Sequence, residues 1–466
     1  MNVEIPVNWK PRSYQMGLWN FFAGDSRNKR AVVIAHRRWG KDDMSINICG
    51  VKAMERVGLY FHLLPTYRQA RAVVWNGIAS DKSKDGTRKG RNFLSYFHPD
   101  LIESIHHNDM RVHFKNGSIY QVVGSDEIDR LVGTNPVGVV FSEYALQDPR
   151  AFDYISPILS ENEGWAIFIT TIRGKNHAYR LARTAEGLVK DGDKDWFYLN
   201  HTVNDTKRDD GTPVVTPERI EKERKAGRPE VVIAQEYFNN ADAPLLGSYY
   251  SIEMGKALLD GRIKNVPYDP KLNVDTAWDI GWDDSMSIVF TQTYGREIRV
   301  IDYYENSHEA LRHYVRILKE KDYFYGKHYF PHDVMVTSVN DGKTRWETLR
   351  ALGLKPTITF KHEVLDGIEA VRNILHQCWF DEKKCVRLIE ALRSYRKEEA
   401  PKKLGYTGDE EEKPMYKDHP LKDWASHPAD AFRYFAWNAK AKHEDPNHDP
   451  WKNLPTSMSD EGYQYV

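Results

Sequence analysis

Ala35-His-Arg-Arg-Trp-Gly-Lys-Asp42 lies between an apolar run, Ala31-Val-Val-Ile-Ala35, and a helix-like stretch that starts near Asp42. A strand, a turn carrying a lysine, and a helix start together cradle phosphate, because helix-start N–H groups and an ammonium aim at one anion. Against the template G-x-x-x-x-G-K-[ST], Gly40 and Lys41 are kept, Ala35 replaces the first glycine and Asp42 replaces the hydroxyl residue. A second apolar run, Val137-Gly-Val-Val-Phe-Ser-Glu143, ends in an acid, the place where nucleotide hydrolases hold Mg²⁺ and orient the attacking water. The usual Asp-Glu pair is here Ser142-Glu143, so the two departures exchange a hydroxyl and a carboxylate between strands. A cation held there is expected to meet one of each, Asp42 and Ser142. Glu143 is then the residue that polarises water, and Lys41, Arg37 and Arg38 neutralise phosphate charge. The whole turn, His36, Arg37, Arg38, Trp39, Gly40, Lys41 and Asp42, is the expected nucleotide cradle. Arg12-Ser-Tyr-Gln15 precedes it by some twenty residues; the Gln15 amide is expected to read an adenine edge and Tyr14 to stack on it.

A second set of acids suits phosphodiester cleavage, which needs carboxylates on adjacent elements, able to hold two ions about 4 Å apart. Asp279 lies on a strand-like run and is followed by Gly281, Asp333 follows the run Lys327–Pro331, and Asp430 stands at the start of the helix-like Ala431–Lys442. Asp283, Asp284, Asp302 and Glu305 are reserves, and His332 and His427 neighbour two of the three. All the candidates offer oxygen, which favours Mg²⁺ or Mn²⁺ over zinc.

Elements that place these residues are legible in the hydropathy. Ala31–Ala35, a helix over Asp42–Val57, and Leu59–Leu64 read as strand, helix, strand, and Val112–Phe114, Ile119–Val123, Val137–Phe141 and Ala166–Thr171 add further strands. This grammar predicts an α/β domain with a parallel-rich sheet over residues 1–189. A polar stretch, 190–250, with helices at Thr216–Ala226 and Pro229–Phe238, reads as a small helical lid or linker. Val274–Ile280, Met286–Thr291 and Ile298–Tyr304, followed by a helix over Ser307–Lys319, open a second domain over 251–441 in the manner of a ribonuclease H-like fold, an opening that other α+β folds share. The acidic, proline-bearing tail 442–466 reads as flexible.

The chain has 466 residues, with 66 Lys+Arg against 67 Asp+Glu, which excludes a uniformly polycationic nucleic-acid binder. No run approaches the roughly 18 apolar residues a membrane helix needs, and the first ten residues lack a signal-peptide layout, so a soluble, unexported protein is expected. Three scattered cysteines, Cys49, Cys378 and Cys385, read as buried thiols rather than disulfides or zinc ligands. Basic clusters at Lys82, Lys84, Arg88, Lys89 and Arg91, read as a loop, and at Arg393, Arg396, Lys397, Lys402 and Lys403, in a hairpin or loop over Leu392–Met415, are expected to make phosphate contacts.

In this order, these pieces resemble the large terminase subunit of tailed bacteriophages. The resemblance rests on Arg12–Gln15, Arg37-Arg-x-Gly-Lys-Asp42, Pro65-Thr-Tyr-Arg-Gln-Ala70, Val139-Val-Phe-Ser-Glu-Tyr144, Ile169-Thr-Thr-Ile-Arg-Gly-Lys-Asn-His177, Trp278-Asp-Ile-Gly281, Pro331-His-Asp333 and His427-Pro-Ala-Asp430. It implies an N-terminal P-loop ATPase motor with a helical lid and a C-terminal ribonuclease H-like nuclease. ATP hydrolysis would thread double-stranded DNA into a procapsid, and a two-metal endonuclease would cut the concatemer. It further implies ATP and Mg²⁺ as cofactors, with Mn²⁺ supporting the nuclease. The implied partners are the portal protein, a small terminase subunit and a homo-oligomeric ring, in the host cytoplasm and absent from the virion. By the same resemblance, Asp279, Asp333 and Asp430 are the metal ligands. Thr170, Thr171 and Asn176 match the segment coupling hydrolysis to movement, and Arg130 matches an arginine reaching a neighbour's ATP. An ATP-dependent repair helicase-nuclease is the competing expectation, disfavoured because no room remains after residue 189 for a second motor lobe. A nucleotide-dependent binding protein with degenerate sites, a third reading, rests on Asp42 and Ser142 alone.

Overall fold

The computed structural model describes residues 3–82, 88–126, 131, 133–241, 245–281, 286–336, 343–399 and 416–444. The described chain divides into two compact units, one within residues 3–246 and the other of residues 247–399 with 416–444.

In the first unit a short helix, α1 (Met16–Phe22), leads into β1 (Arg30–Ala35), and α2 (Lys41–Glu55) returns to β2 (Leu59–Leu64). One turn of helix, α3 (Tyr67–Gln69), precedes a hairpin of β3 (Ile78–Lys82) and β4 (Arg88–Asn92). The basic cluster expected as a loop at 82–91 is thus largely strand; Lys84 lies outside the described residues. β5 (Ile102–His106), β6 (Arg111–Phe114), β7 (Ile119–Gly124) and β8 (Pro136–Ser142) follow, then α4 (Arg150–Glu161), β9 (Trp165–Thr170), α5 (His177–Lys190) and β10 (Trp196–His201). The sheet runs β10-β1-β9-β8-β2-β7-β6-β5, parallel from β10 to β7 and antiparallel at the β7-β6-β5 edge. β1 and β9 are buried along their whole length, as strands covered on both faces must be. Alternate residues of β1 enter two cores: Ala31, Val33 and Ala35 pack with Met44 and Cys49 on one face, Val32 and Ile34 with Phe168 and Ile155 on the other.

β10 corrects the expected boundary at residue 189, because Trp196–His201 pairs in parallel with β1 and belongs to the same sheet. Two helices follow where expected, α6 (Pro217–Lys225) and α7 (Glu230–Phe238), around a small core of Val203, Val215, Ile220, Ile233 and Tyr237.

The second unit begins with α8 (Ser251–Leu259) and the two-residue β11 (Ile263–Lys264). β12 (Val274–Asp279), β13 (Met286–Tyr294) and β14 (Glu297–Asn306) form an antiparallel meander, and α9 (Leu311–Glu320) crosses to β15 (Tyr325–Phe330), parallel to β12. α10 (Arg345–Ala351), β16 (Pro356–Ile358), α11 (Val364–Leu375), β17 (Cys378–Asp381), α12 (Val386–Ser394), β18 (Lys397–Glu399), β19 (Tyr416–Pro420) and α13 (Ser426–Glu444) complete it. Its sheet runs β11-β17-β14-β13-β12-β15-β16. The central order places β12 between its hairpin partner and a parallel strand reached through a helix, the ribonuclease H-like arrangement expected. Period-two alternation sorts its faces: Ala277 and Val289 pack under Phe432 and Phe435 of α13, and Trp278, Ile288 and Phe290 pack on the other side. All three cysteines are buried free thiols. No helix among the described residues is long and apolar enough to cross a membrane.

Candidate functional site

The carboxyl ends of β1, β9 and β8 are adjacent in the first sheet and carry the phosphate-loop residues, the edge where open α/β sheets bind ligands. Gly40 caps α2 with φ +89, and a Cβ there would stand 3.1 Å from both Arg12 Nη1 and Gln15 Nε2. Glycine is therefore required twice over, for the left-handed backbone and for the close approach. Arg38 also lies at positive φ, 75°, so the turn is sharply wound. Backbone bonds hold it from outside: His36 N donates to His201 O at 3.0 Å, and Arg37 N to Glu236 O at 2.9 Å.

Lys41 is almost fully buried and donates to Ala35 O (2.9 Å) and to Thr171 Oγ1 (3.0 Å), with Glu143 Oε1 at 4.0 Å. Asp42 and Ser142, assigned complementary roles from sequence, touch: Ser142 Oγ donates to Asp42 Oδ1 at 2.5 Å. His62 Nε2 reaches the same oxygen at 3.2 Å, while its Nδ1 meets Tyr120 Oη at 2.9 Å. Burial raises the Asp42 carboxyl, but the His62 and Ser142 contacts and the Lys41 charge outweigh it, leaving the group below its ordinary range. Glu143 takes φ +53 directly after β8, an uncommon conformation for a residue with a Cβ, and its buried Oε2 has no hydrogen-bond partner among the described residues.

Arg12, Tyr14 and Gln15 gather on one atom of this loop. Arg12 Nη1 (3.3 Å), Tyr14 Oη (3.1 Å) and Gln15 Nε2 (3.0 Å) all donate to Trp39 O, and Gln15 Oε1 accepts from Arg12 N at 3.0 Å. Gln15 is fully buried, so its amide braces the loop instead of standing open as a base reader. His36 is also enclosed, between Thr206 Oγ1 (2.8 Å) and Arg37 O (2.6 Å), and burial pushes its imidazole down to about 4. Thr170 accepts from Ala145 N at 3.2 Å, and Asn176 caps α5 and donates to Ala145 O at 2.9 Å, tying this segment to the turn after Glu143. Arg130 lies outside the described residues.

In the second unit Asp279 ends β12, Asp333 sits in a short 3₁₀ turn (His332–Met335) after β15, and Asp430 lies one turn inside α13, not at its first residue. One residue senses all three. Burial raises the phenol of Tyr434 well above its ordinary value, and the charges of Asp279, Asp430 and Asp333 add to the effect. The Asp279 carboxyl is itself raised, by burial and then by Asp430, against the pull of His427, whose Nδ1 lies 2.7 Å from Asp279 Oδ2. Asp430 Oδ1 accepts from Tyr395 Oη and Arg433 Nε, each at 3.1 Å. Asp333 Oδ1 is buried with no hydrogen-bond partner among the described residues. Among the described residues no three His, Cys, Asp or Glu side chains form a group that could already hold a metal. An orphaned carboxylate oxygen, mutual charge repulsion and all-oxygen donors are nonetheless the chemistry that suits a divalent cation.

The reserves separate. Asp302 is engaged by Lys321 Nζ (2.5 Å) and Tyr323 Oη (3.0 Å), and Glu305 by Arg387 Nε (3.0 Å), so both are structural; Asp283 and Asp284 lie outside the described residues. The second basic cluster is neutralised where it is described: Arg393 faces Glu390 (3.6 Å), Arg396 faces Asp423 (3.1 Å) and Lys397 faces Asp418 (3.7 Å). Lys402, Lys403 and the tail from 445 lie outside the described residues.

Two functional-site neighbours receive no role from a reading of the sequence, although Arg173 stands inside the quoted stretch from Ile169 to His177. His62 is a lone polar residue in the apolar run of β2, which is its only signal. Arg173 follows Thr171 by two residues and pairs with Glu236 of α7 at 2.6 Å.

No family model matches the chain. It is 21% identical over 431 residues to the large terminase subunit of Escherichia phage T5, covering 88% of this chain and 86% of that protein. Solved structures similar to it include the large terminase of a thermophilic bacteriophage, at 15% identity and TM-score 0.38, covering 92% of this chain and 98% of that one. The HK97 bacteriophage large terminase has 12% identity and TM-score 0.39, over 82% of this chain and 86% of that one. The ATPase domain of the Thermus phage P74-26 large terminase has 21% identity and TM-score 0.37, over 50% of this chain and 95% of the domain. The likeness to large terminase subunits read from the motifs thus extends, in the T5 relative, along most of the chain.

Proposed function

We propose that this chain is a phage large terminase subunit. Residues 1–189, with the sheet continued by β10, form the ATPase that drives double-stranded DNA into a procapsid, and 190–250 otherwise serve as its lid. Residues 251–441 form an endonuclease that cuts concatemeric DNA. The observation that carries the reading is the Asp42–Ser142 contact beside Lys41 and Glu143, at the carboxyl edge of three adjacent strands. Hydroxyl and carboxylate have changed places between loop and strand, yet they meet at one spot, which supports an intact metal position.

ATP would lie against the turn from His36 to Asp42, with its phosphates toward the N-terminus of α2 and Lys41. Asp42 and Ser142 would hold Mg²⁺, which supplies charge neutralisation to the phosphates. Glu143, already bent toward the site and with one oxygen unsatisfied, would orient water and take its proton. Asp279, Asp333 and Asp430 would hold the nuclease ions, Mg²⁺ or Mn²⁺, with His427 fixing the Asp279 carboxylate. Arg130 is proposed as the finger reaching a neighbour's ATP in a homo-oligomeric ring on the portal protein, with a small terminase subunit choosing the DNA site. The working compartment is the host cytoplasm, and the protein stays out of the mature virion.

ATP hydrolysis that disappears in Lys41→Ala, and supercoiled plasmid nicked with Mn²⁺ by the wild type but not by Asp279→Ala, are the expected results. Turnover that persists without Lys41, or equal cutting by both proteins, overturns the corresponding half of the proposal.

A further inference from the structure

Resting on the ATPase reading, one more residue enters the nucleotide cycle. Glu236, on α7, holds both the phosphate loop and the segment after β9. Its backbone carbonyl accepts from Arg37 N at 2.9 Å, and its side chain pairs with Arg173 Nη1 at 2.6 Å. Arg173 and Glu236 keep only 18% and 6% of their side chains exposed, so little water screens the pair. Two residues before Arg173, Thr171 accepts from Lys41. Loop, post-β9 segment and α7 are therefore linked through consecutive contacts around one anionic group.

The surroundings of that group are those a phosphate would choose. Burial raises the Glu236 carboxyl, but Arg173, Arg37, Lys41 and Arg228 outweigh it and leave it below its ordinary range. Three of these four cations belong to the loop or the segment behind it. Beside Glu236 on α7, Gln235 is wholly buried, and neither amide atom has a hydrogen-bond partner among the described residues.

We infer that Glu236 stands in for phosphate in the nucleotide-free chain, clamping α7 to the segment after β9 through Arg173, and that an arriving triphosphate displaces it. The incoming anion competes for the same cations and repels the carboxylate, so nucleotide binding loosens α7. Linkage then works in both directions: a clamp that nucleotide must break lowers nucleotide affinity, and removing the clamp raises it by the same factor.

Hydrogen exchange of the full-length chain, with and without ATPγS, tests this by following residues 230–238, alongside ATPγS titrations of the wild type and Glu236→Gln. The expected result is faster exchange of 230–238 in the wild type when ATPγS binds. Glu236→Gln should exchange fast without nucleotide, respond little to it, and bind ATPγS about fivefold or more tightly than wild type, the lower end of ordinary coupling factors. Unchanged or slower exchange in a wild type that binds ATPγS overturns the clamp, as does wild-type affinity in the variant. If Glu236→Gln does not fold, the wild-type exchange comparison decides alone. A wild type that binds no ATPγS would bring down the ATPase reading itself, and the clamp with it.

Discussion

A hydrogen bond of 2.5 Å between Ser142 and Asp42 turns a sequence anomaly into a geometric statement. Each position departs from the usual chemistry of its motif, and either departure alone would leave the cation with the wrong donors. Reversing one should therefore hurt, and reversing both should repair. Asp42→Ser removes the carboxylate, and Ser142→Asp places two carboxylates against each other; each single change is expected to lower the ATPase kcat roughly tenfold or more. The double variant should recover most of that loss, a coupling within the roughly 0.5–3 kcal/mol typical of touching residues. Steady-state hydrolysis of the four proteins checks it, and strictly multiplicative losses would show that the two side chains act independently. Both anomalous letters are legible in the sequence because a motif fixes what should stand there. His62 is not, because a buried histidine in an apolar strand has no template to depart from, and its role exists only through its distance to Asp42.

Elements are readable in proportion to how completely their neighbours cover them. β1, β8 and β9 are buried throughout and announce themselves as unbroken apolar runs. β10 is an edge strand, with only Leu199 of its six residues fully buried, so its sequence merges into the polar stretch around it and reads as part of a linker. The second sheet carries a pH signature at one such pairing. His328 of β15 lies opposite Thr276 of β12, its Nδ1 2.7 Å from Thr276 Oγ1, and burial pushes its imidazole down to about 4. An unfolded histidine takes up its proton near 6.5. Between pH 6.5 and 4 the unfolded chain thus binds the proton that the folded chain refuses. The stability this group contributes is fully present above pH 6.5 and is lost as pH falls toward 4. At about 1.4 kcal/mol per pH unit, the loss amounts to up to roughly 3 kcal/mol. His328→Asn, which keeps a polar group near the Nδ1 position, should flatten that acid limb in denaturant titrations at pH 4.5 and 7. An equally steep acid limb in the variant would assign the loss to other groups.

Charge at the scale of the whole molecule sums to −1, and the structure shows how locally that balance is reached. Arg393, Arg396 and Lys397, the described part of the second basic stretch that the sequence offers to DNA, each face an acid within 4 Å. A cation already paired releases fewer counterions when it meets a phosphate, because its acid must be freed or left behind. A translocating ATPase gains from this economy, since it has to let go of DNA at every step, and a surface that neutralises many phosphates at once would hold the duplex in place. Salt dependence reads out the number engaged. Each neutralised phosphate of B-DNA adds about −0.9 to the slope of log K against log salt. With its described basic residues so often paired, the chain should engage about three phosphates or fewer at a time, a slope of roughly −3 or shallower. Fluorescence anisotropy of the full chain on a short duplex, from 50 to 200 mM salt, measures it. A slope steeper than about −6, in the range of repressors that make six or more phosphate contacts, would mean that the acids release their cations on binding and that the near-zero net charge conceals a strongly basic DNA face.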